Sequence, residues 1–144
     1  MYERILLPTD GSDASLAAAT HAGSLARKAE ATVHVVSVAD SRNRFESPSS
    51  GLAPDAWREA EQERAEAAVL EVVDRLPTAV EVERTITTGV PQDEILSLVA
   101  EADADVVVMG THGRSGLDRY LLGSVTERVV RQSPVPVLTV RADA

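Results

Sequence analysis

The chain has 144 residues, with 14 lysines and arginines against 23 aspartates and glutamates, a formal charge of −9 and 44% apolar residues. This size predicts one domain, residues 1–144, with enough core to fold without disulfides or a structural metal, and the lack of cysteine excludes disulfides. No apolar run approaches the ~20 residues of a membrane span, and the first residues lack a secretory signal pattern. We therefore expect a soluble cytoplasmic protein without a membrane partner. The acidity argues against nucleic acid, because a polyanion requires a basic face.

Lysine is almost absent from the chain. Lys28 is the single lysine, and the aromatic fraction is 3%. A GC-rich genome explains the lysine deficit but not the excess of carboxylates. We therefore favour salt adaptation, a halophilic protein, because strong acidity keeps a chain soluble where salt screens its self-repulsion.

Short β-branched runs alternate with helix-like segments from end to end, a pattern typical of an α/β protein with a parallel sheet. The predicted strands are residues 4–8, 32–38, 80–87, 105–109 and 137–140, and the predicted helices are 12–30, 55–76, 92–102 and 124–132. Ser12 is placed to cap the first helix with Asp13 in its first turn, and Pro91 to begin the third helix.

The composition of the strands predicts their places in the sheet. Residues 5–7 and 106–109 are continuously apolar, which is expected of central strands covered on both faces. Residues 80–83 alternate polar with apolar, and Pro136 removes a ladder N–H from the last strand, so both of these strands belong at edges. Right-handed crossovers then favour a doubly wound, Rossmann-like sheet of order 3-2-1-4-5 with helices on both faces. Its ligand crevice would lie at the switch point between strands one and four.

Two other segments attract attention. The second helix is rich in glutamate and arginine, and most of that charge is expected to form a solvated face. Residues 40–54 form a long loop with two prolines and four serines, beside the predicted crevice. Loops of this length are usually functional or disordered, and a mobile lid is one hypothesis.

The segment from Met109 to Thr126 carries the chemistry. Gly110 and Gly113 follow a buried strand, and Gly123-Ser124 begin the next helix. Small residues let backbone N–H groups approach a ligand, and a helix N-terminus adds unpaired donors and partial positive charge. A phosphate suits such a nest. Neither GxxxxGK[ST] nor GxGxxG after the first strand occurs, so the common nucleotide fingerprints are absent.

The spacing of these glycines, with nine residues between Gly113 and Gly123, resembles that of the universal stress protein family, in its ATP-binding branch. The resemblance covers essentially the whole chain. It includes residues 5–12, 89–91, 106–113, 121–126 and 134–138.

The resemblance implies a set of ATP contacts. Asp10 would meet the ribose hydroxyls, and the backbone of Val38 the adenine edge. Gly110 would lie under the ribose. The base pocket would be lined by Pro8, Thr9 and Met109, and the phosphates would be contacted by Gly113, Gly123, Ser124 and Val125, with Thr126 next to them.

Charge and composition add two residues to this set. Residues 111–132 hold four arginines against Asp118 and Glu127, a reversal of the overall sign. Arg114 is the preferred phosphate contact among them, whereas Arg128 and Arg131 fit the end of the last helix. His112 lies in the glycine loop, where it would approach a phosphate.

Several of these residues also have a purely structural interpretation. Asp10 would serve equally as a turn residue beside Gly11, and Gly123-Ser124 as a simple helix start. His34 and His21 are expected to be packed or exposed rather than catalytic. We expect no protein-ligated metal site, because no histidine has a partner at ligand spacing, and Mg²⁺ would arrive on the phosphates of ATP.

Three functions remain open. The leading one is an ATP-binding sensor or regulator of the stress response with slow or absent hydrolysis, because no general base lies near the glycine loop and Lys28 is remote. The others are a slow ATPase or phosphotransfer enzyme and a nucleotide-free scaffold. AMP, ADP or a cyclic nucleotide would fit a similar crevice. A homodimer through the apolar edge strand 137–140 is expected, together with an unknown protein partner.

Overall fold

The computed structural model describes residues 2–42, 54–112 and 122–142. The predicted five strands and four helices all occur within these ranges. In chain order they are β1 (Arg4–Pro8), α1 (Asp13–Ala29), β2 (Thr32–Asp40), α2 (Pro54–Arg75), β3 (Val82–Gly89), α3 (Pro91–Glu101), β4 (Val106–Gly110), α4 (Ser124–Gln132) and β5 (Val137–Val140). Most of the loop that was predicted over 40–54, and with it the lid hypothesis, lies outside the described residues.

Three strands differ from the prediction in their boundaries, since β2 ends at Asp40, β3 spans Val82–Gly89 and β4 spans Val106–Gly110. β3 begins at Val82 rather than at Val80, because the Val80 N–H donates to the Pro77 carbonyl oxygen at 3.0 Å and closes a turn after α2. The buried side chain of Val80 belongs to the core, which explains its apolar character. β2 continues two residues further than predicted, to Asp40, where it pairs with Gly89 of β3.

All five strands form one parallel sheet in the order β3-β2-β1-β4-β5, which confirms the predicted topology. The continuously apolar β1 and β4 are interior strands, and β3 and β5 lie at the edges.

At the start of the sheet, the carboxylate of Asp105 accepts the N–H groups of Glu3 at 2.8 Å and Arg4 at 2.9 Å, which joins β4 to β1. These two bonds lower the pKa of Asp105.

The alternation of side chains along the strands divides the core between the two faces of the sheet. Ile5, Leu7 and Val35 pack on the side of α1 and α2. Leu6 and Val36 pack on the side of α3 and α4. Burial on both faces is what the continuous apolar runs predict for parallel strands.

The predicted helix starts are confirmed. Ser12 is the N-cap of α1, and its hydroxyl accepts the Ser15 N–H at 3.2 Å with Asp13 in the first turn. Gly11 precedes it with φ of +83°, a conformation that glycine adopts without strain. Pro91 occupies the first turn of α3. No helix in the described ranges is long and apolar enough to cross a membrane.

The charged residues of α2 follow the predicted pattern with one exception. Most are exposed, namely Arg58, Glu59, Glu63, Glu66, Glu71 and Arg75. Glu61 and Arg64 are instead turned inward, with side chains 8% and 20% exposed, and their Oε2 and Nε atoms are 2.6 Å apart.

Candidate functional site

A cavity of about 500 Å³ opens at the carboxyl ends of β1, β2 and β4. Its position is that of the predicted crevice, above the point where the strand order reverses. Eleven residues of the predicted binding set line it: Pro8, Thr9, Asp10, Val38, Met109, Gly110, His112, Gly123, Ser124, Val125 and Thr126. The other two, Gly113 and Arg114, lie outside the described residues. The structure therefore brings segments from both ends of the chain into one crevice.

The cavity has further lining residues that the sequence did not indicate. They are Ser12, Ser15, Val36, Asp40, Arg42, Arg64, Pro91 and Ile95. The sequence marks Ser12 and Pro91 as helix starts within the matching segments 5–12 and 89–91 but assigns them no ligand contact, and both helices begin at the edge of the sheet where the crevice lies. The sequence of α2 does not distinguish Arg64 from the other arginines of this charged helix.

The N-terminus of α4 is an open donor site. Its N-cap is Gly123, which has no side chain to accept the first amides, and the first helical bond runs from the Glu127 N–H to the Gly123 carbonyl oxygen at 2.9 Å. The backbone N–H groups of Ser124 and Val125 have no acceptor among the described residues. Unpaired amides at a helix start, together with the positive end of the helix dipole, form a site suited to an anion.

Two hydrogen bonds hold this helix start against the end of β4. The Gly123 N–H donates to the Thr111 carbonyl oxygen at 2.7 Å, and the Thr126 hydroxyl donates to the Gly110 carbonyl oxygen at 2.8 Å. Both carbonyls lie at or just after the end of the buried strand. The donor site is therefore fixed to the end of the buried strand.

Gly110 has a packing reason to be glycine. A Cβ built at this position would lie 2.7 Å from the Cβ of Ala14 and 2.8 Å from its carbonyl carbon, closer than such atoms approach in proteins. The first turn of α1 thus packs directly on the end of β4. The glycine is required by this contact, in addition to any ligand above it.

The end of β1 is held by local hydrogen bonds. The buried Thr9 hydroxyl donates to the Ser15 hydroxyl at 3.0 Å, and the Thr9 carbonyl oxygen accepts the Ser37 hydroxyl at 2.8 Å. Asp10 Oδ1 accepts the Ser12 N–H at 3.0 Å. Asp10 is thus a turn residue, as the structural interpretation held, and this turn also fixes its carboxylate at the mouth of the crevice.

On the side of β2, the crevice exposes backbone that β1 does not pair. β1 ends at Pro8, opposite Val36, whereas β2 continues to Asp40. The Val36 carbonyl oxygen accepts the Thr9 N–H at 2.9 Å, so the backbone polar groups of Val38, two residues on, point to the same side beyond the end of β1. These backbone groups are a donor and an acceptor, the two kinds of group that the polar edge of a planar ligand could pair with.

Arg64 reaches into this side of the crevice from α2. Its Nη2 donates to the Val38 carbonyl oxygen at 2.9 Å and its Nη1 to the Asp10 carbonyl oxygen at 3.3 Å, while its Nε donates to Glu61 at 2.6 Å. Nearby, Arg42 donates to both carboxylate oxygens of Asp40 at 3.1 Å.

The histidines lie in the places that the sequence predicted. His21 is exposed on α1. His34 Nε2 lies 2.6 Å from the Thr85 hydroxyl, and burial lowers its pKa even though Glu83, at 3.5 Å, acts in the opposite direction. His112 Nδ1 lies 3.1 Å from the Thr111 hydroxyl at the crevice. In the described part of the chain, no three histidine, aspartate or glutamate side chains converge to hold a metal ion.

The crevice at the switch point and the open start of α4 are those of an α/β protein with a ligand site at the carboxyl ends of its strands. The model of the universal stress protein family matches residues 1–141, so the chain belongs to that family, and the predicted membership is confirmed. It is 39% identical to universal stress protein MJ0531 of Methanocaldococcus jannaschii, over 98% of this chain and 83% of that protein. It is 31% identical to universal stress protein MJ0577 of the same organism, over 98% and 96%.

Solved structures agree with the fold. The structure of MJ0577 matches with a TM-score of 0.83 at 30% identity and covers 98% of this chain and 96% of that one. A universal stress protein solved in complex with cAMP matches with a TM-score of 0.73, also at 30% identity, over 96% of this chain and 97% of that one. The sheet order and the helices on both faces are therefore those of the family.

Proposed function

We propose that this protein binds ATP, or a closely related adenine nucleotide, in the crevice and acts as a sensor or regulator of the stress response. The similar structure with bound cAMP supports an adenine nucleotide as the ligand class. The cavity of about 500 Å³ has the size of a small-molecule site, for which about 300–1,000 Å³ is usual.

The open N-terminus of α4 is the observation that carries the proposal. The amides of Ser124 and Val125 would donate to the phosphates, and the Ser124 hydroxyl would add a further donor. A helix start without a side-chain cap leaves these donors to a ligand. Gly113 and Arg114, which follow the end of β4 in the sequence, remain part of the proposed phosphate site.

The base and the ribose would lie on the other side of the crevice. The Val38 backbone would meet the adenine edge, because it extends past the end of β1. Asp10 would accept hydrogen bonds from the ribose hydroxyls above Gly110. The apolar contacts to the base would come from Pro8 and Met109, with Thr9 beneath.

We propose slow or absent hydrolysis. Phosphoryl transfer requires a positioned nucleophile and cations at the γ-phosphate. Within the described residues, the arginines that line the crevice are Arg42 and Arg64, and both face carboxylates on the side of β2. Mg²⁺ would be carried by the phosphates, since it needs few protein ligands. The bound nucleotide would then act through the conformation of the crevice rather than through turnover.

The proposal also includes a cytoplasmic homodimer and a protein partner still to be identified. β5 is an edge strand, and Leu138 on it is 45% exposed. Val130 on the adjacent α4 is 44% exposed. Apolar side chains on an uncovered edge favour pairing with a second copy of the chain.

The test is binding to a variant with a charge at the phosphate site. Ser124→Glu places a carboxylate at the start of α4 and should lower ATP affinity at least about tenfold, because it repels the phosphates. Ser24→Glu makes the same change at an exposed position of α1 and should bind like the wild type. Isothermal calorimetry with ATP, ADP, AMP and cAMP measures both. Equal ATP affinity in the two variants, or no nucleotide bound by the wild type, would contradict the proposal.

A further inference from the structure

We infer that Arg64 is a positioning residue that sets the base preference of the crevice. The inference rests on the proposed nucleotide function, and it concerns which base the site accepts. The evidence for it is three hydrogen bonds that one guanidinium group donates, to the carboxylate of Glu61, to the carbonyl of Asp10 and to the carbonyl of Val38.

The setting of Arg64 shows that its side chain is held in one place. Glu61, one helical turn earlier, is 8% exposed and accepts the Arg64 Nε at 2.6 Å. A buried carboxylate is stable only when it is paired and hydrogen-bonded, so this contact fixes the guanidinium group. The planar group then directs its two remaining nitrogens away from α2, toward the sheet.

Those two nitrogens join the ends of two strands. Nη1 lies 3.3 Å from the carbonyl oxygen of Asp10, just past β1, and Nη2 lies 2.9 Å from that of Val38, in the part of β2 that β1 no longer pairs. Val38 lies two residues beyond Val36, the last residue of β2 that is in register with β1. Arg64 therefore fixes the orientation of the peptide groups that a base would meet.

The orientation matters because adenine and hypoxanthine present opposite patterns to such a backbone. Adenine offers an amino donor beside a ring acceptor, whereas hypoxanthine offers a carbonyl acceptor beside a ring N–H. A Val38 carbonyl and N–H held in fixed directions match adenine alone. If the peptide groups were free to turn, the difference between the two bases would shrink, because buried polar groups discriminate only when they are preorganised.

The guanidinium geometry, rather than the positive charge, is what the inference requires. A lysine at position 64 would still neutralise Glu61, but one ammonium group on a flexible chain does not hold two carbonyls in the fixed fork of an arginine. Arg64→Lys therefore keeps the charge and removes the positioning. Arg58, which is exposed on the same helix, supplies the matched control as Arg58→Lys.

The experiment measures the affinities of ATP, ITP and inorganic tripolyphosphate for full-length wild type, Arg64→Lys and Arg58→Lys by calorimetry. We expect Arg64→Lys to lower ATP affinity roughly tenfold, the effect of about one charge-assisted hydrogen bond, and to bring the ATP-to-ITP ratio close to one. Tripolyphosphate affinity should stay within about twofold of wild type, because the start of α4 is untouched. Arg58→Lys should match the wild type for all three probes.

Two results would overturn the inference. One is an Arg64→Lys protein that retains the wild-type ATP-to-ITP ratio. The other is an equal loss of affinity for all three probes, which would indicate a general loss of structure, and thermal unfolding of the same samples would register it. A wild-type protein that binds none of the probes would instead refute the nucleotide function itself. Binding to the wild type is therefore measured before the variants are compared.

Discussion

The hydroxyl of Thr126 donates a hydrogen bond of 2.8 Å to the carbonyl oxygen of Gly110, and this bond joins the first turn of α4 to the last residue of β4. Both partners are buried, and 15 residues of sequence separate them. The bond therefore holds the open amides of α4 beside the end of β4, at the proposed phosphate site.

Thr126→Val tests this bond, because the substitution removes the hydroxyl at nearly constant volume. The Gly110 carbonyl loses its donor inside the protein, so the free energy of unfolding should fall by about 1–2 kcal/mol. Nucleotide affinity should fall as well, since the helix start is less firmly held. Urea denaturation and calorimetry measure the two effects. The control is Thr20→Val on the exposed side of α1, and a Thr126→Val protein as stable as this control would contradict the assignment.

Gly110→Ala tests the contact between β4 and α1. The added methyl group meets Ala14 at 2.7 Å, so the first turn of α1 must move, and overpacking of this kind costs about 1–3 kcal/mol. The loss should appear in the nucleotide-free protein, because the clash is with α1 rather than with a ligand. Thermal unfolding without nucleotide is the measurement. A loss seen only when nucleotide is present would mean that the glycine serves the ligand alone.

Burial of His34 predicts a pH dependence of stability. Burial is the largest influence on this histidine and lowers its pKa below 6.5, the Arg4 charge lowers it further, and Glu83 opposes them. The folded protein therefore binds fewer protons at this site than the unfolded chain does when the pH lies between the two pKa values. Its contribution to stability is complete above the unfolded pKa and is lost as the pH falls through the folded pKa.

His34→Gln removes this titration and keeps a side chain able to bond the Thr85 hydroxyl. Urea denaturation between about pH 7.5 and about pH 5 should show the free energy of unfolding falling more steeply for wild type than for the variant. His21→Gln changes an exposed histidine on α1 and should leave the slope unchanged. Equal slopes for wild type and His34→Gln would show that another group is responsible.

The order of the sheet was predictable because it depends on patterns that single strands carry. The continuous apolar runs of β1 and β4 require two covered faces, and the proline just before β5 predicted an edge position, which is where β5 lies. The crevice followed, because the ends of β1 and β4 must meet where the strand order reverses. The sequence correctly placed Gly110 at the end of β4. Its close contact with Ala14 was not predictable, because the spacing of glycines does not show how α1 packs on β4.

The role of Arg64 was not predictable from the same information. Its helix mixes acidic and basic residues, and exposed Arg58 and half-buried Arg64 look alike in such a pattern. The contacts of Arg64 are to backbone atoms 26 and 54 residues away, at Val38 and Asp10. Backbone acceptors leave no mark in the sequence, so only the packing of α2 on the sheet shows which arginine reaches them.

The charge balance predicts that stability rises with salt. The chain carries a formal charge of −9, and self-repulsion of this size opposes the compact state until counterions screen it. Raising KCl from about 0.1 M to about 1 M should raise the melting temperature, because the Debye length falls from about 10 Å to about 3 Å. A melting temperature that stays constant or falls over this range would argue against salt adaptation.

The outer edge of β5 provides the test of the dimer. The carbonyls of Pro136 and Val140 accept the N–H groups of Val107 in β4 and of Thr111 just after it, at 2.9 Å each. Thr139 has the opposite parity, so its N–H points away from the sheet, toward the proposed partner strand. Thr139→Pro should therefore leave the fold intact and remove one intermolecular donor, with the proline ring obstructing the approach of the second copy. Light scattering should show a lower mass than for wild type and for Thr139→Val, and an unchanged dimer would exclude this edge as the interface.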